Sequence, residues 1–109
     1  MGPIDVERVR VLYLNSRNML IRDDHMGDGS IDQAAIYTRE VIRRAIDLGS
    51  AALILVHNHP SGDPSPSAED ILVTRNIVAG AKMMDIELLD HIIIGGNGWV
   101  SLKEKQLGF

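Results

Sequence analysis

Ala51-Ala52-Leu53-Ile54-Leu55-Val56 is apolar at every position. A strand can bury both parities of such a run only if the sheet is covered on both faces. That sets a central strand in the middle of the chain, and the other elements must pack around it. Before it, Val9, Val11 and Tyr13 alternate through a β-rich stretch that stops at Asn15-Ser16-Arg17-Asn18 and resumes at Met19-Leu20-Ile21-Arg22, the pattern of a hairpin. Gly27-Asp28-Gly29-Ser30 breaks the chain, after which Ala34, Tyr37, Val41, Ala45 and Leu48 recur at helical spacing until Gly49. After the run, residues 67–85 predict a second helix with Ile71, Thr74, Val78 and Ala81 as its inner stripe. Ile86 to Ile94 predicts a further strand, which Gly95-Gly96-Asn97-Gly98 turns into Trp99-Val100-Ser101-Leu102. The order ββαβαββ predicts an α/β fold, a single-domain mixed β-sheet with packed helices. With 109 residues the chain is one domain over 1–109 and too short for two.

Composition narrows the chemistry. At 45% hydrophobic and 24% charged residues the chain is neither polar enough for disorder nor apolar enough for a bilayer. Its longest apolar run falls far below the roughly 18–20 residues of a spanning helix, and its start shows no basic stretch followed by an apolar one. The expectation is a cytoplasmic protein with no membrane contact. Formal net charge is −4, and no basic run exceeds Arg43-Arg44. Strong direct nucleic-acid binding by this domain is therefore not expected. There is no cysteine, so a metal would have to be held by histidine and carboxylate.

Two of the four histidines close the central strand. His57-Asn58-His59-Pro60 runs on through Ser61-Gly62-Asp63-Pro64-Ser65-Pro66 to Ser67-Ala68-Glu69-Asp70. Residues two apart on a strand share a face, so His57 and His59 can offer both imidazoles to one ion while Asn58 points away. Pro60, Pro64 and Pro66 stiffen the loop, and Ser67 ahead of a helical pattern puts Asp70 in the first turn, aimed back at the strand end. Two neutral nitrogens and one carboxylate form the ligand set of a catalytic zinc with its fourth position open, whereas a structural zinc is closed by four protein ligands. A His-x-His pair by itself is more often two hydrogen-bonded surface histidines than a metal site, and a Ser with Asp three residues on is more commonly just a helix cap; capping and ligation can coexist. Asp63 and Glu69 are rival carboxylates. Asp63 lies in a Gly/Pro turn, where aspartate is usually a turn former, and Glu69 sits one residue off the direction of Asp70.

These residues resemble a known family. His57-Asn58-His59-Pro60, seven residues between His59 and Ser67, then Asp70 three residues on, match the His-x-His-Pro and Ser-x-x-Asp motif of the JAMM (MPN-plus) metalloproteases. "HNHPSGDPSPSAEDILVTR", "VLYLNSRN" and "LLDHIIIG" resemble the bacterial RadC family, from about Glu7 to the C-terminus. The resemblance implies an MPN/JAMM-like fold with cytidine-deaminase-like layering. It also implies Zn²⁺ on His57, His59 and Asp70, with a zinc-bound water attacking the carbonyl of a peptide or isopeptide amide. Glu7 would be the general base, because Glu7-Arg8-Val9-Arg10-Val11-Leu12-Tyr13-Leu14-Asn15 matches the family's Glu-x-Phe-x-Val-Leu-x-Leu-Asn apart from Val9. Ser67 would donate a hydrogen bond to the oxyanion. Thr38-Arg39-Glu40 stands where the family usually shows Pro-Arg-Glu, which removes a pre-set φ at the expected helix start. The helix-hairpin-helix segment that usually precedes the domain is not in this sequence, so an isolated metal domain is expected.

Glu40 is the runner-up for the base. A helix beginning near Thr38 would start near the histidine end of the sheet, but Arg39, Arg43 and Arg44 surround Glu40, and Glu40 with Arg44 reads as an i,i+4 ion pair on a solvent face. Glu7 requires the first and central strands to run antiparallel. Gly27-Asp28-Gly29 lacks the third glycine of a dinucleotide fingerprint and reads as a turn. His25 reads as solvated, His91 as hydrogen-bonded, and Trp99 and Met83-Met84 as core or edge packing. The leading expectation is a zinc metallohydrolase. The alternative is a non-catalytic metal-binding or scaffold module in a DNA-repair-associated assembly, which would need neither Glu7 nor Ser67.

Overall fold

A computed structural model describes residues 7–28 and 34–109. The elements are β1 (Arg8–Leu14), β2 (Leu20–Asp28), α1 (Ala34–Asp47), β3 (Ala52–Asn58), α2 (Ala68–Met83), β4 (Glu87–Gly95) and β5 (Gly98–Ser101), in the order the sequence predicts. The strands form one five-stranded sheet, β2-β1-β3-β4-β5. β1 pairs antiparallel with both β2 and β3, β4 pairs antiparallel with β5, and β3 runs parallel to β4 across the α2 crossover. The sheet is mixed and the domain is α/β.

The β1–β2 hairpin forms because Asn15 organises its own turn. Its side-chain oxygen accepts from the N–H groups of Arg17 at 2.9 Å and Met19 at 3.0 Å, and Asn18 takes the left-handed φ of 59° that asparagine tolerates. β2 runs well beyond the expected Met19–Arg22, so Gly27 and Asp28 belong to the strand, while Gly29 and Ser30 lie outside the described residues. Ion pairs hold this polar edge: Arg10 to Asp23 at 2.9 Å and Arg44 of α1 to Asp24 at 2.8 Å from other elements, and Arg22 to Asp24 at 3.1 Å within the strand.

The core joins Val9, Val11 and Tyr13 of β1 and Leu53 and Leu55 of β3 to Val41 and Ala45 of α1 and to Val73, Ile77 and Ala81 of α2. Side chains alternate along a strand, so these odd-numbered positions place both helices on one face. Ile54 and Val56 on the other face are only half-buried, which corrects the expectation that β3 is covered on both sides. Gly80 of α2 faces Ile42 of α1, whose terminal Cδ1 would have to swing aside to admit a Cβ there. The buried stripe of α2 is Asp70, Val73, Thr74, Ile77 and Ala81. That is rotated from the expected one because the helix turns the Asp70 carboxylate inward. α1 begins at Ala34, so Thr38 lies inside the helix and not at its start. Met83 and Met84 are exposed at the end of α2, correcting their reading as packed side chains, and Trp99 is exposed on edge strand β5.

Candidate metal centre

β3 carries His57 as its buried penultimate residue, and His59 follows immediately after the strand. The backbone beyond is held to β4: the His59 N–H donates to the Ile94 carbonyl at 2.8 Å, and the Asn97 N–H to the Gly62 carbonyl at 3.3 Å. Gly95 permits this approach, because a Cβ there would run into the backbone of Gly62 and Pro64. The antiparallel register sets Val9 opposite His57, so the start of β1 meets the end of β3, as a Glu7 base requires. Asn58, buried between the histidines, accepts from the Arg8 N–H and ties the two strand ends together. Glu7 Oε1 then lies 2.9 Å from His57 Nε2.

From the helix side, Ser67 caps α2 in a full capping box. Its Oγ accepts from the Asp70 N–H at 3.1 Å, and its own N–H donates to Asp70 Oδ2 at 2.8 Å. This fixes the carboxylate, 1% exposed, with Oδ1 3.2 Å from His57 Nδ1 and Oδ2 3.0 Å from His59 Nε2. Burial works to raise the Asp70 pKa, but His57 and the Ser67 backbone hold it well below the usual carboxylate range. Burial likewise pulls His57 down, and Asp70 and Glu7 together outweigh it and lift the imidazole above its ordinary value.

The donor set fits a cation. His59 Nδ1 lies 3.0 Å from the Asp63 carbonyl. A carbonyl only accepts, so that nitrogen carries a ring proton, and in the neutral ring Nε2 presents a lone pair. This lone pair faces Asp70 Oδ2 at 3.0 Å, an arrangement that is repulsive unless a proton or a metal lies between them. Both nitrogens of buried His57 are near carboxylates yet neither makes an aligned hydrogen bond, a poor solution for a purely structural histidine. Glu7, His57 and His59 offer ligand atoms within 4.8 Å of one another and could hold a metal ion, and Asp70 abuts both histidines from α2.

All four expected residues therefore converge, with Ser67 exposed at the helix cap beside them. The rivals do not join them. The Asp63 carboxylate accepts from the Ser65 N–H at 2.9 Å on an exposed turn, and this bond lowers its pKa. Only its carbonyl serves the site. Glu69 and Glu40 are exposed, and Arg44 reaches Asp24 at 2.8 Å, which corrects the expected Glu40–Arg44 pair. His25 is exposed. His91 is buried and hydrogen-bonded as expected, against Thr74 at 2.7 Å. Burial first, and the neighbouring His57 next, push its pKa down to about 3. Its place behind His57 has no signal in sequence spacing.

A cleft of about 480 Å³ lined by Val78, Lys82, Ile86, Leu88 and Phe109 contains none of the site residues. It lies toward the opposite end of the sheet, where Glu87 and Leu88 pair with Ala52 and Leu53. No helix among the described residues is long and apolar enough to cross a membrane. The family model described as a RadC-like JAB domain matches residues 1–107. A match over nearly the whole chain, together with two histidines and two carboxylates gathered at one end of a mixed sheet, shows that the chain belongs to the RadC-like JAB domain family.

Proposed function

We propose that this domain is a zinc-dependent metallohydrolase of JAMM type, cleaving a peptide or isopeptide amide. The observation that carries this reading is the convergence of Glu7, His57, His59 and Asp70 at the end of β3. His57, His59 and Asp70 hold the zinc, and Glu7 acts beside it as general base. Asp70 is 1% exposed and held as an anion, as suits a ligand, while the Glu7 side chain is 21% exposed and open to water and to a leaving amine. When bound, zinc polarises a carbonyl and lowers the pKa of water from about 16 to about 7. Glu7 takes the proton of the attacking water and hands it to the departing nitrogen. Ser67 Oγ already accepts the Asp70 N–H, so its hydroxyl hydrogen is free to turn toward the oxyanion, a contact that contributes on the order of 10²–10³ in rate in other enzymes. The Asp63 carbonyl keeps the His59 lone pair on the metal side. The net charge of −4 supports a peptide or protein partner over a nucleic acid, and the absence of cysteine agrees with a cytoplasmic site of action.

The test is metal content and turnover on a panel of peptide- and isopeptide-linked amides, for the wild type and Glu7→Gln. Both proteins should carry one zinc per chain, and only the wild type should hydrolyse. Zinc without turnover of any amide by the wild type would leave the non-catalytic module of a DNA-repair-associated assembly as the better reading. Loss of zinc in Glu7→Gln would make Glu7 a ligand.

A further inference from the structure

His91 and Thr74 lie behind the residues just described and take no part in the chemistry assigned to them. Both are fully buried. His91 stands on β4 opposite Leu55, and its ring stacks on His57 with centroids 5.8 Å apart and 29° between the planes. Thr74 is one helical turn beyond Asp70 on α2. Its Oγ1 is 2.8 Å from the Asp70 carbonyl oxygen and 2.7 Å from His91 Nδ1.

The direction of these two hydrogen bonds follows from counting protons. A hydroxyl has one hydrogen, and the Asp70 carbonyl can only accept it. Thr74 Oγ1 is left to accept from His91, so His91 Nδ1 carries the ring proton. The donation runs from His91 to Thr74 to the backbone of Asp70. His91 Nε2 then remains as a lone pair, buried without a hydrogen-bond partner. An apolar side chain would pack here without an unsatisfied nitrogen, so packing alone does not account for a histidine. A threonine bonding back to the carbonyl four residues earlier is ordinary in helices. What is unusual is that one β4 side chain drives this hydroxyl and also lies against the ring of His57.

We infer that His91 and Thr74 are a positioning pair for the metal centre, His91 setting the plane of the His57 ring by stacking and, through Thr74, fixing the turn of α2 that aims Asp70. The inference rests on the reading of His57, His59 and Asp70 as metal ligands. It ties ligands from two different elements to one buried anchor on a third.

Thr74→Val is nearly isosteric and removes both hydrogen bonds, Thr74→Ser keeps them, and His91→Phe keeps a ring against His57 but cannot donate. Metal-stripped protein is titrated with Co²⁺ in competition with a chelator and followed by its d–d absorption, at a temperature where circular dichroism shows each variant folded. His59→Ala controls for the site itself. Wild type and Thr74→Ser should bind one Co²⁺ alike and with the same spectrum. Thr74→Val and His91→Phe should each lose roughly 10–100-fold in affinity, the usual consequence of removing the partner behind a ligand, with a shifted band. Either variant decides the matter if the other does not fold. A purely structural role would lower melting temperature while leaving the affinity and spectrum of the folded variants at wild-type values, and that result overturns the inference. If the wild type takes up no Co²⁺, or His59→Ala binds as well as the wild type, the ligand reading itself fails and the inference falls with it.

Discussion

Replacing Asp70 by alanine separates the metal site from the fold, and both losses can be sized. In the metal-free protein the Ser67 N–H loses its acceptor at 2.8 Å, while Ser67 Oγ keeps the backbone N–H of residue 70. Half a capping box is lost, about 1 kcal/mol. His57 and His59 lose the carboxylate at 3.2 and 3.0 Å. Leaving the buried imidazoles without that carboxylate costs about 1–3 kcal/mol, but relief of the buried anion's desolvation offsets part of that. A net destabilisation of about 1–3 kcal/mol lies well inside the roughly 5–15 kcal/mol of a typical domain, so the variant should still fold and melt about 5–15 °C lower. The metal loss is larger in proportion. Structural zinc in small domains binds with roughly 10–16 kcal/mol across four ligands, so one anionic ligand is worth about 3 kcal/mol, or about 100-fold in affinity. Asp63→Ala is the matched control, because His59 bonds the Asp63 carbonyl, which alanine retains, and the carboxylate serves only the exposed turn. Thermal unfolding of the stripped proteins and zinc titration under chelator competition measure the two losses. Wild-type zinc affinity in Asp70→Ala, or a 100-fold loss in Asp63→Ala, would refute the assignment.

Ser67→Ala removes the acceptor of the Asp70 N–H and should destabilise the domain by about 1 kcal/mol, while turnover falls on the order of 10²–10³-fold; a melt and a rate on the same sample check both. The metal-free protein should be most stable near neutral pH. His91, at about 3 in the fold against 6.5 as its ordinary value, leaves the unfolded chain binding more protons between those values, so stability falls as pH drops through that window. His57 is raised, so its contribution is full below 6.5 and is lost as pH rises through the folded value; melts that improve steadily to about pH 9 would contradict its placement between Asp70 and Glu7. Any DNA retention should vanish at moderate salt, given a net charge of −4, and nanomolar duplex affinity at about 0.15 M salt would revive a nucleic-acid role.

What the sequence makes legible is what short-range geometry controls. His57 and His59 share a face because the strand period is two, and Asp70 turns back because Ser67 caps the helix three residues earlier. Glu7 is different: its approach depends on β1 pairing antiparallel with β3, a long-range choice that residues 7–15 do not encode, and only the family resemblance pointed to it. The length of β2 escapes a propensity reading because its polar half is held by Arg10 and Arg44 from other elements. The apolar run of β3 cannot report whether a second layer covers its far face, so the half-buried state of Ile54 and Val56 was not readable. Asp63 contributes a carbonyl, which carries no side-chain signal. His91 has no partner at metal-like spacing, since its connection to the site passes through Thr74 on another element.

Every role proposed for the residues at the end of β3 depends on their holding a divalent metal. Calorimetric titration of Zn²⁺ into stripped protein at about pH 7.5, beside His57→Ala and His59→Ala, tests it most directly. One zinc per wild-type chain is expected, with at least roughly 100-fold weaker binding in either folded variant. No heat of binding to the wild type, or variants that bind as the wild type does, would contradict it.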